Sequence, residues 1–184
     1  MNKLIITVLA KDRPGIIAQV STALFELDCN LENVNQMILQ NHFAGFFVVD
    51  APKGLAPESI QEKLNAKSKE NGLSIQVKSL ETQSTRSSET PGEIFLITTI
   101  GPDQKGLVSS FSRIIAGFNC NIINLKAVFK GGSDPNANVM SYQVGITGDV
   151  DAPALFDALR KKGQDLGLDV RIQHKNIFDA INKI

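Results

Sequence analysis

The residues whose types and spacing best suit ligand binding form a short polar set near the start of the chain. Asp12 and Gly15 follow an apolar run, and Asn30 and Asn33 follow the helix predicted next. Backbone N–H groups at a helix N-terminus favour a carboxylate, a free carboxylate such as Asp12 suits an ammonium group, and amide side chains both donate and accept hydrogen bonds. Together these groups suit a free α-amino acid.

This polar set occurs twice. Asp103, Gly106, Asn121 and Asn124 repeat it without a gap at a constant offset of 91 residues, which is 103 minus 12. A repeat of this length within 184 residues predicts two small domains, each with a modest core.

Each residue of the set also has a purely structural explanation. Asp12 could cap the helix with Pro14 in its first turn, Gly15 could simply permit a tight turn, and the asparagines could shape the entry into a strand. Duplicated structural residues recur as well as functional ones do. The repeat therefore does not decide between the two explanations.

The elements that must position these residues follow the order βαββαβ in each half. Apolar runs and helical spacing predict strands over 4–9, 31–39, 43–49 and 73–80 and helices after Gly15 and from Pro57, then strands over 94–100, 122–129, 139–147 and 168–173 and helices after Gly106 and from Pro153 to Leu166. This order predicts an α+β, ferredoxin-like fold, with a four-stranded antiparallel sheet and both helices on one of its faces. We expect the asparagines to lie close to the same end of the sheet as the Asp12 loop.

Composition predicts the domain boundaries. The first domain is expected over 1–80, a polar linker over 81–93, the second domain over 94–175 and a tail over 176–184. A longer loop is expected over 130–138. The tail has Ile177, Phe178, Ile181 and Ile184 at helical spacing, which suits docking on a partner subunit and packing on its own domain equally well.

Charge and composition exclude several functional classes. Nineteen basic and nineteen acidic side chains give zero formal net charge, so no global field attracts nucleic acid or a membrane surface. The apolar run at 4–9 is too short to span a membrane, and a cytoplasmic protein is the default expectation. Cys29 and Cys120 occupy the same position of the repeat, which predicts two reduced core residues in separate domains. No catalytic set, metal-ligand spacing or phosphate-binding glycine loop is evident, so neither an enzyme, a metal nor a cofactor is expected.

The segment from Thr7 to Ile17, followed by Cys29-Asn30-Leu31-Glu32-Asn33, resembles an ACT domain, an amino-acid-sensing module of metabolic regulators. The resemblance implies that such domains pair side by side through their sheets and bind small ligands between the strand-one loop of one domain and the edge of its partner. The second copy departs from the motif, with Gln104-Lys105 in place of Arg13-Pro14, so its loop binds differently or not at all. The ligand-binding positions implied by the resemblance are Asp12, Gly15, Ile16, Asn30 and Asn33, and in the second copy Asp103, Gly106, Leu107, Asn121 and Asn124.

Two such domains in one chain further resemble the family of glycine cleavage system transcriptional repressors. This implies an amino-acid-responsive repressor, with glycine or serine the favoured ligand, that contacts a transcriptional activator rather than DNA. A homodimer is expected, because short edge strands usually need covering. Two alternatives remain open at this point: a regulatory subunit of an amino-acid or one-carbon metabolic enzyme, and a pairing module that binds no small molecule.

Overall fold

A computed structural model describes residues 2–68, 72–80, 92–128 and 138–181. The chain divides into two compact units, Met1–Ser84 and Thr85–Ile184. Most of the predicted linker, residues 81–91, and most of the predicted loop over 130–138 lie outside the described residues.

The first unit has the predicted order βαββαβ. Its strands form one antiparallel sheet in the order β2-β3-β1-β4. The elements are β1 Asn2–Lys11, α1 Ile16–Phe25, β2 Asn30–Leu39, β3 His42–Ala51, α2 Pro57–Ser68 and β4 Ser74–Ser79.

The second unit repeats this order and adds a short terminal helix. Its sheet has the equivalent strand order, β6-β7-β5-β8. The elements are β5 Glu93–Gly101, α3 Leu107–Gly117, β6 Asn121–Val128, β7 Asn138–Ile146, α4 Ala152–Asp165, β8 Asp169–His174 and α5 Lys175–Ile181.

Both helices of each unit pack on the same face of its sheet, as predicted. Alternate side chains of a strand point to one face, and in β1 the fully buried set is Leu4, Ile6 and Val8. These three belong to one cluster with Leu24 of α1 and Leu64 of α2. The equivalent cluster of the second unit combines its sheet with both α3 and α4, through Ile97, Phe111, Ile115, Tyr142, Leu155 and Leu159.

Helix α1 begins differently from the expectation. Asp12 does not cap it, and Pro14 lies in the turn before it rather than in its first helical turn. The residue at the cap position is Gly15, in a left-handed conformation with φ of 91°, and glycine has no side chain that could cap the helix. Asp12 instead donates its backbone N–H to the carbonyl oxygen of Asn41 at 2.8 Å. The chain uses a side-chain cap elsewhere: Asp151 accepts a bond from the N–H of Ala154 at 3.0 Å at the start of α4.

Two boundaries of the second unit also differ from the prediction. Glu93 belongs to β5 rather than to the linker, since it pairs with Ile146, and Asn138 belongs to β7 rather than to the loop, since it pairs with Gly101. Helix α5 begins directly after β8 and lies against β5 and β8. The described part of the tail therefore packs on its own domain, which is one of the two alternatives expected from the sequence.

The two cysteines are free and buried, as predicted for reduced core residues. Burial raises the pKa of the Cys29 thiol, with smaller contributions from the nearby carboxylates of Asp28 and Asp50. Burial also raises the pKa of Cys120, with a further contribution from Asp149. Both thiols are therefore poorer nucleophiles than an exposed cysteine.

The single tyrosine of the chain provides a pH-dependent test of the second core. Burial raises the pKa of Tyr142 from 10.0 to about 12. Between these two values the unfolded chain loses the phenol proton while the folded chain retains it, so the stability of the second unit should fall as the pH rises from 10.0 to about 12. Ultraviolet absorbance of tyrosinate, measured alongside denaturant unfolding, reports both quantities. Tyr142→Phe should remove the fall in stability that is due to the phenol. Titration of the tyrosine near pH 10.0 in the folded protein would contradict its burial.

Candidate functional site

The loop between β1 and α1 lies beside the turn that joins β2 to β3. The bond from the Asp12 N–H to Asn41 fixes this position, because Asn41 lies in that turn. Gly15 then turns the chain into α1 without a side-chain cap. The first N–H groups of α1 therefore have no intrahelical partner, and none of the side chains in the described ranges bonds to them, which favours an anionic ligand.

A pocket of about 410 Å³ opens at this loop. It brings together three of the predicted site residues, Asp12, Gly15 and Ile16. The side chain of Ile16 is only 2% exposed, so this residue can offer a ligand little beyond its backbone. The complete lining is Asp12, Arg13, Gly15, Ile16, Ile17, Ala18, Gln36 and Phe43.

Arg13 adds a cation to this pocket. Its Nη2 atom donates to Oε1 of Gln19 at 2.8 Å, which holds the guanidinium against α1. A guanidinium beside free helix N–H groups attracts a carboxylate, while Asp12 on the same lining offers the opposite charge. The pocket therefore contains complementary groups for both charges of a zwitterion.

The sequence reasoning missed Arg13, Gln36 and Phe43 as lining residues. Gln36 could have been noticed in the sequence, because it interrupts the alternating apolar residues Val34 and Ile38. In the structure it pairs with Gly45, and these alternating positions face the helices. A polar residue in an apolar stripe is a reason to look for a ligand. Phe43 could not have been noticed in this way, because a buried aromatic residue is ordinary in a strand.

Asn30 and Asn33 lie at the other end of the sheet, which corrects the expectation. Asn30 pairs with Asp50, which pairs with Lys3 at the start of β1, whereas the loop leaves β1 after Lys11. Eight strand residues (11 − 3) separate the two ends, a distance of about 26 Å. The cause is the path of α1, which returns the chain to the start of β1 before β2 begins.

The surroundings of Asn30 are polar in the first unit alone. Lys3 and Glu32 form an ion pair at 2.9 Å, and Oδ1 of Asp50 is buried with no hydrogen-bond partner among the described residues. In the second unit, Asn121 pairs with Gly145 instead of an aspartate. Ile94 and Ile123 replace the lysine and the glutamate at an offset of 91, which is 94 minus 3 and 123 minus 32.

The second loop has the same backbone design with different side chains. Gly106 starts α3 in a left-handed conformation with φ of 84° and no side-chain cap, and Leu107 is only 3% exposed. Gln104 donates to the carbonyl oxygen of Leu166 at 2.7 Å, which ties this loop to the end of α4. Asn121 and Asn124 start β6, again at the opposite end of the sheet from the loop that contains Asp103.

A second pocket of about 340 Å³ lies between α1 and α2. Its charged groups are Glu26 and Lys67, which form an ion pair with each other. Neither charge is thus left for a zwitterionic ligand, and the rest of the lining is largely apolar. We regard the loop pocket as the better candidate for that reason.

Strand β2 forms an exposed edge of the first sheet. All ten of its residues are exposed, although half of them are apolar. A long apolar edge invites pairing with another strand. Its exposed apolar side chains are Leu31, Val34, Met37, Ile38 and Leu39, at 36–65%.

The described ranges contain neither a metal-binding cluster nor a membrane-spanning helix. No three His, Cys, Asp or Glu side chains come together there as metal ligands. No helix in those ranges is both long and apolar enough to cross a membrane.

Comparison with known families identifies the repeat. The sequence model of the family described as ACT domain matches residues 2–78 and again residues 93–173. A UPF0237 protein of Corynebacterium efficiens is 45% identical over 78 residues, which are 41% of this chain and 85% of the relative. A UPF0237 protein of Methanopyrus kandleri is 32% identical over 89 residues, 48% of this chain and 96% of the relative. These relatives therefore correspond to about one unit of the chain.

Two solved structures share the fold over nearly the whole chain. An unknown protein from Galdieria sulphuraria has a TM-score of 0.74 at 20% identity and covers 94% of this chain and 98% of its own. A protein proposed to be a glycine cleavage system transcriptional repressor has a TM-score of 0.68 at 15% identity, with coverages of 94% and 96%. At these identities the likeness concerns the fold.

The conformation of Gly15 generates a prediction with an internal control. An added Cβ would meet no atom within 4 Å at Gly15 or at Gly117, but only Gly15 has a left-handed φ. Gly15→Ala should therefore lower the free energy of unfolding by about 1–2 kcal/mol through backbone strain alone. Gly117→Ala, in the last turn of α3, should leave it unchanged or raise it by up to about 1 kcal/mol, because alanine favours the helix. Urea unfolding measures both changes, and equal effects would show that the left-handed turn is not the constraint.

Proposed function

This chain belongs to the ACT-domain family, and we propose that it is an amino-acid-responsive regulatory protein that acts through protein contacts rather than by catalysis. The observation that supports this most directly is the pocket at the β1–α1 loop, which presents Asp12, Arg13 and the uncapped start of α1 together. A cytoplasmic location and the absence of direct DNA binding are parts of the same proposal, in keeping with the neutral net charge.

The three groups assign a binding mode. The ligand carboxylate accepts from the N–H groups at the start of α1 and from the Arg13 guanidinium, and the ligand ammonium bonds to the Asp12 carboxylate. Arg13 is already held by Gln19, so less of its freedom is lost on binding. Glycine and serine are the ligands that we favour.

We further propose that a second copy of the chain completes the site. Within one domain Asn33 lies far from the loop, so it cannot reach the same ligand. Antiparallel pairing of two β2 edges about a two-fold axis places the start of one β2 beside the end of the other, and the loop lies at that end. This arrangement also pairs the free backbone edge of β2 and lowers the exposure of its apolar side chains.

The proposed output is repression of the glycine cleavage type, through contact with a transcriptional activator. Ligand binding across a pairing interface shifts the equilibrium between paired and unpaired states, because only the paired state offers the complete site. Supporting observations are the neutral charge and the shared fold with a protein proposed to be such a repressor. Co-purification with a metabolic enzyme instead of an activator would favour the alternative of an enzyme's regulatory subunit.

Amino-acid binding can be tested by denaturant unfolding in the presence of glycine or L-serine. A ligand at one hundred times its dissociation constant should stabilise the folded protein by about 2.7 kcal/mol. Asp12→Asn should weaken this effect at least tenfold in ligand concentration, because a charge-assisted bond contributes about 1.5–3 kcal/mol. Glu62→Gln, the same loss of a charge at an exposed position of α2, is the matched control and should leave the effect unchanged.

Mixing variants separates the ligand site from the pairing. Asn33→Ala should also lose the response, but a mixture of Asp12→Asn and Asn33→Ala chains should recover part of it. A mixed dimer contains one site with both wild-type residues. Loss in each variant without recovery on mixing would contradict the shared site, and a full response in both variants would contradict the binding site itself.

A further inference from the structure

Two buried polar side chains of the second unit have oxygen atoms that form no hydrogen bond within the described part of the chain. Thr99 is 1% exposed and Asn138 is 6% exposed. Oγ1 of Thr99 and Oδ1 of Asn138 have no hydrogen-bond partner among the described residues. Buried polar atoms without partners are rare in folded proteins and destabilise them, so this pair requires an explanation.

Both side chains lie near the end of β5 from which the loop to α3 leaves. Asn138 pairs with Gly101, the last residue of β5, and Thr99 precedes Gly101 by two residues on the same face. This face packs on the helices, because Ile97 lies two residues before Thr99, Tyr142 lies four residues after Asn138, and both belong to the core. In the loop between β5 and α3, Gln104 bonds to the carbonyl oxygen of Leu166, and the cap residue Gly106 has no capping side chain.

The first unit has apolar residues at the same two positions. Val8 corresponds to Thr99 at the offset of 91, which is 99 minus 8. Phe43 corresponds to Asn138, because they pair with Ala10 and Gly101, the equivalent residues of β1 and β5. Val8 is 0% exposed and Phe43 is 2% exposed. Phe43 lines the loop pocket of the first unit, whereas the residue at the equivalent position of the second unit is polar.

We propose that the second domain binds an amino acid with a hydroxyl group in its side chain, of which L-serine is the simplest, and that Asn138 and Thr99 determine this specificity. The proposal rests on the proposed function, since it assumes that the repeated loops bind amino acids. The ligand carboxylate bonds to the start of α3, and the ligand hydroxyl enters between Asn138 and Thr99. The first domain, with Val8 and Phe43, does not select for the hydroxyl.

The hydrogen-bonding capacities of the two side chains fit this ligand. Oδ1 of Asn138 only accepts, so it requires a donor, whereas the Thr99 hydroxyl both donates and accepts. A ligand hydroxyl can donate to Asn138 and accept from Thr99 at the same time. An alanine side chain satisfies neither atom, and a site with unpaired polar groups rejects an analogue that lacks the hydroxyl.

Calorimetry with L-serine and L-alanine tests the specificity. We use full-length protein with Asp12→Asn, which weakens amino-acid binding at the β1–α1 loop, so that binding at the loop before α3 dominates the signal. L-serine should bind at least tenfold more tightly than L-alanine. Thr99→Val, which removes the hydroxyl at nearly constant shape, should abolish most of this preference while leaving the affinity for L-alanine unchanged.

Three further measurements separate a loss of specificity from a loss of stability. Thr98→Val removes a hydroxyl from the other face of β5 and should leave the preference intact. Thr99→Val without ligand should unfold at the same or a higher denaturant concentration, because it loses an unpaired buried hydroxyl. Asn138→Leu should repeat the loss of preference.

The failures can be distinguished. Equal binding of L-serine and L-alanine, unaffected by Thr99→Val, would overturn the specificity and leave amino-acid binding in place. A lower stability of unliganded Thr99→Val with no change in preference would show that the pair binds only an internal water, which also overturns it. Absence of binding for both amino acids, in this background and in the wild-type chain, would overturn the proposed function and this inference together.

Discussion

The left-handed glycine before the first helix of each unit is the constraint on which the candidate site depends. Gly15 and Gly106 reverse the chain within one residue, so that the helix runs back over the sheet that it has just left. A residue with a Cβ reaches this conformation only with strain. Because glycine has no capping side chain, the same turn leaves the first N–H groups of the helix available. One backbone feature thus determines both the packing of the helix and the chemistry at its start.

The reversal also determines which residues can share a site. After α1 the chain is again at the start of β1, so β2 runs in the same direction as β1 on the other side of β3. Asp12 then lies at one end of the sheet and Asn33 near the other. A ligand that contacts both needs two domains, and the exposed apolar edge of β2 offers the surface for their pairing. In this account, the ligand site and the pairing of two copies depend on the same strand.

The fold was largely predictable, since it depends on patterns that the sequence displays directly. The apolar run in β1, the helical spacing in α1 and the offset repeat were sufficient for the element order and for the burial of Cys29 and Cys120. The start of α1 was not predictable, because Asp12 and Gly15 are both acceptable residues before a helix and only the path of the chain selects between them. The positions of Asn30 and Asn33, by contrast, followed from the predicted order, because a helix that connects two strands of one sheet makes them parallel and so separates the start of β2 from the β1–α1 loop. The Arg13–Gln19 bond and the unpaired Thr99 and Asn138 become visible only when the strands are in register.

The most direct measurement is an amide NMR titration of the full-length protein with glycine and then L-serine. It locates binding without relying on any substitution. The account predicts that the largest shifts occur at the backbone amides of Gly15, Ile16 and Ile17 and at the side-chain amide of Asn33, with L-serine also shifting the side-chain amide of Asn138. Shifts confined to the pocket between α1 and α2, around Gln19 and Leu64, or no shifts with either amino acid, would contradict it.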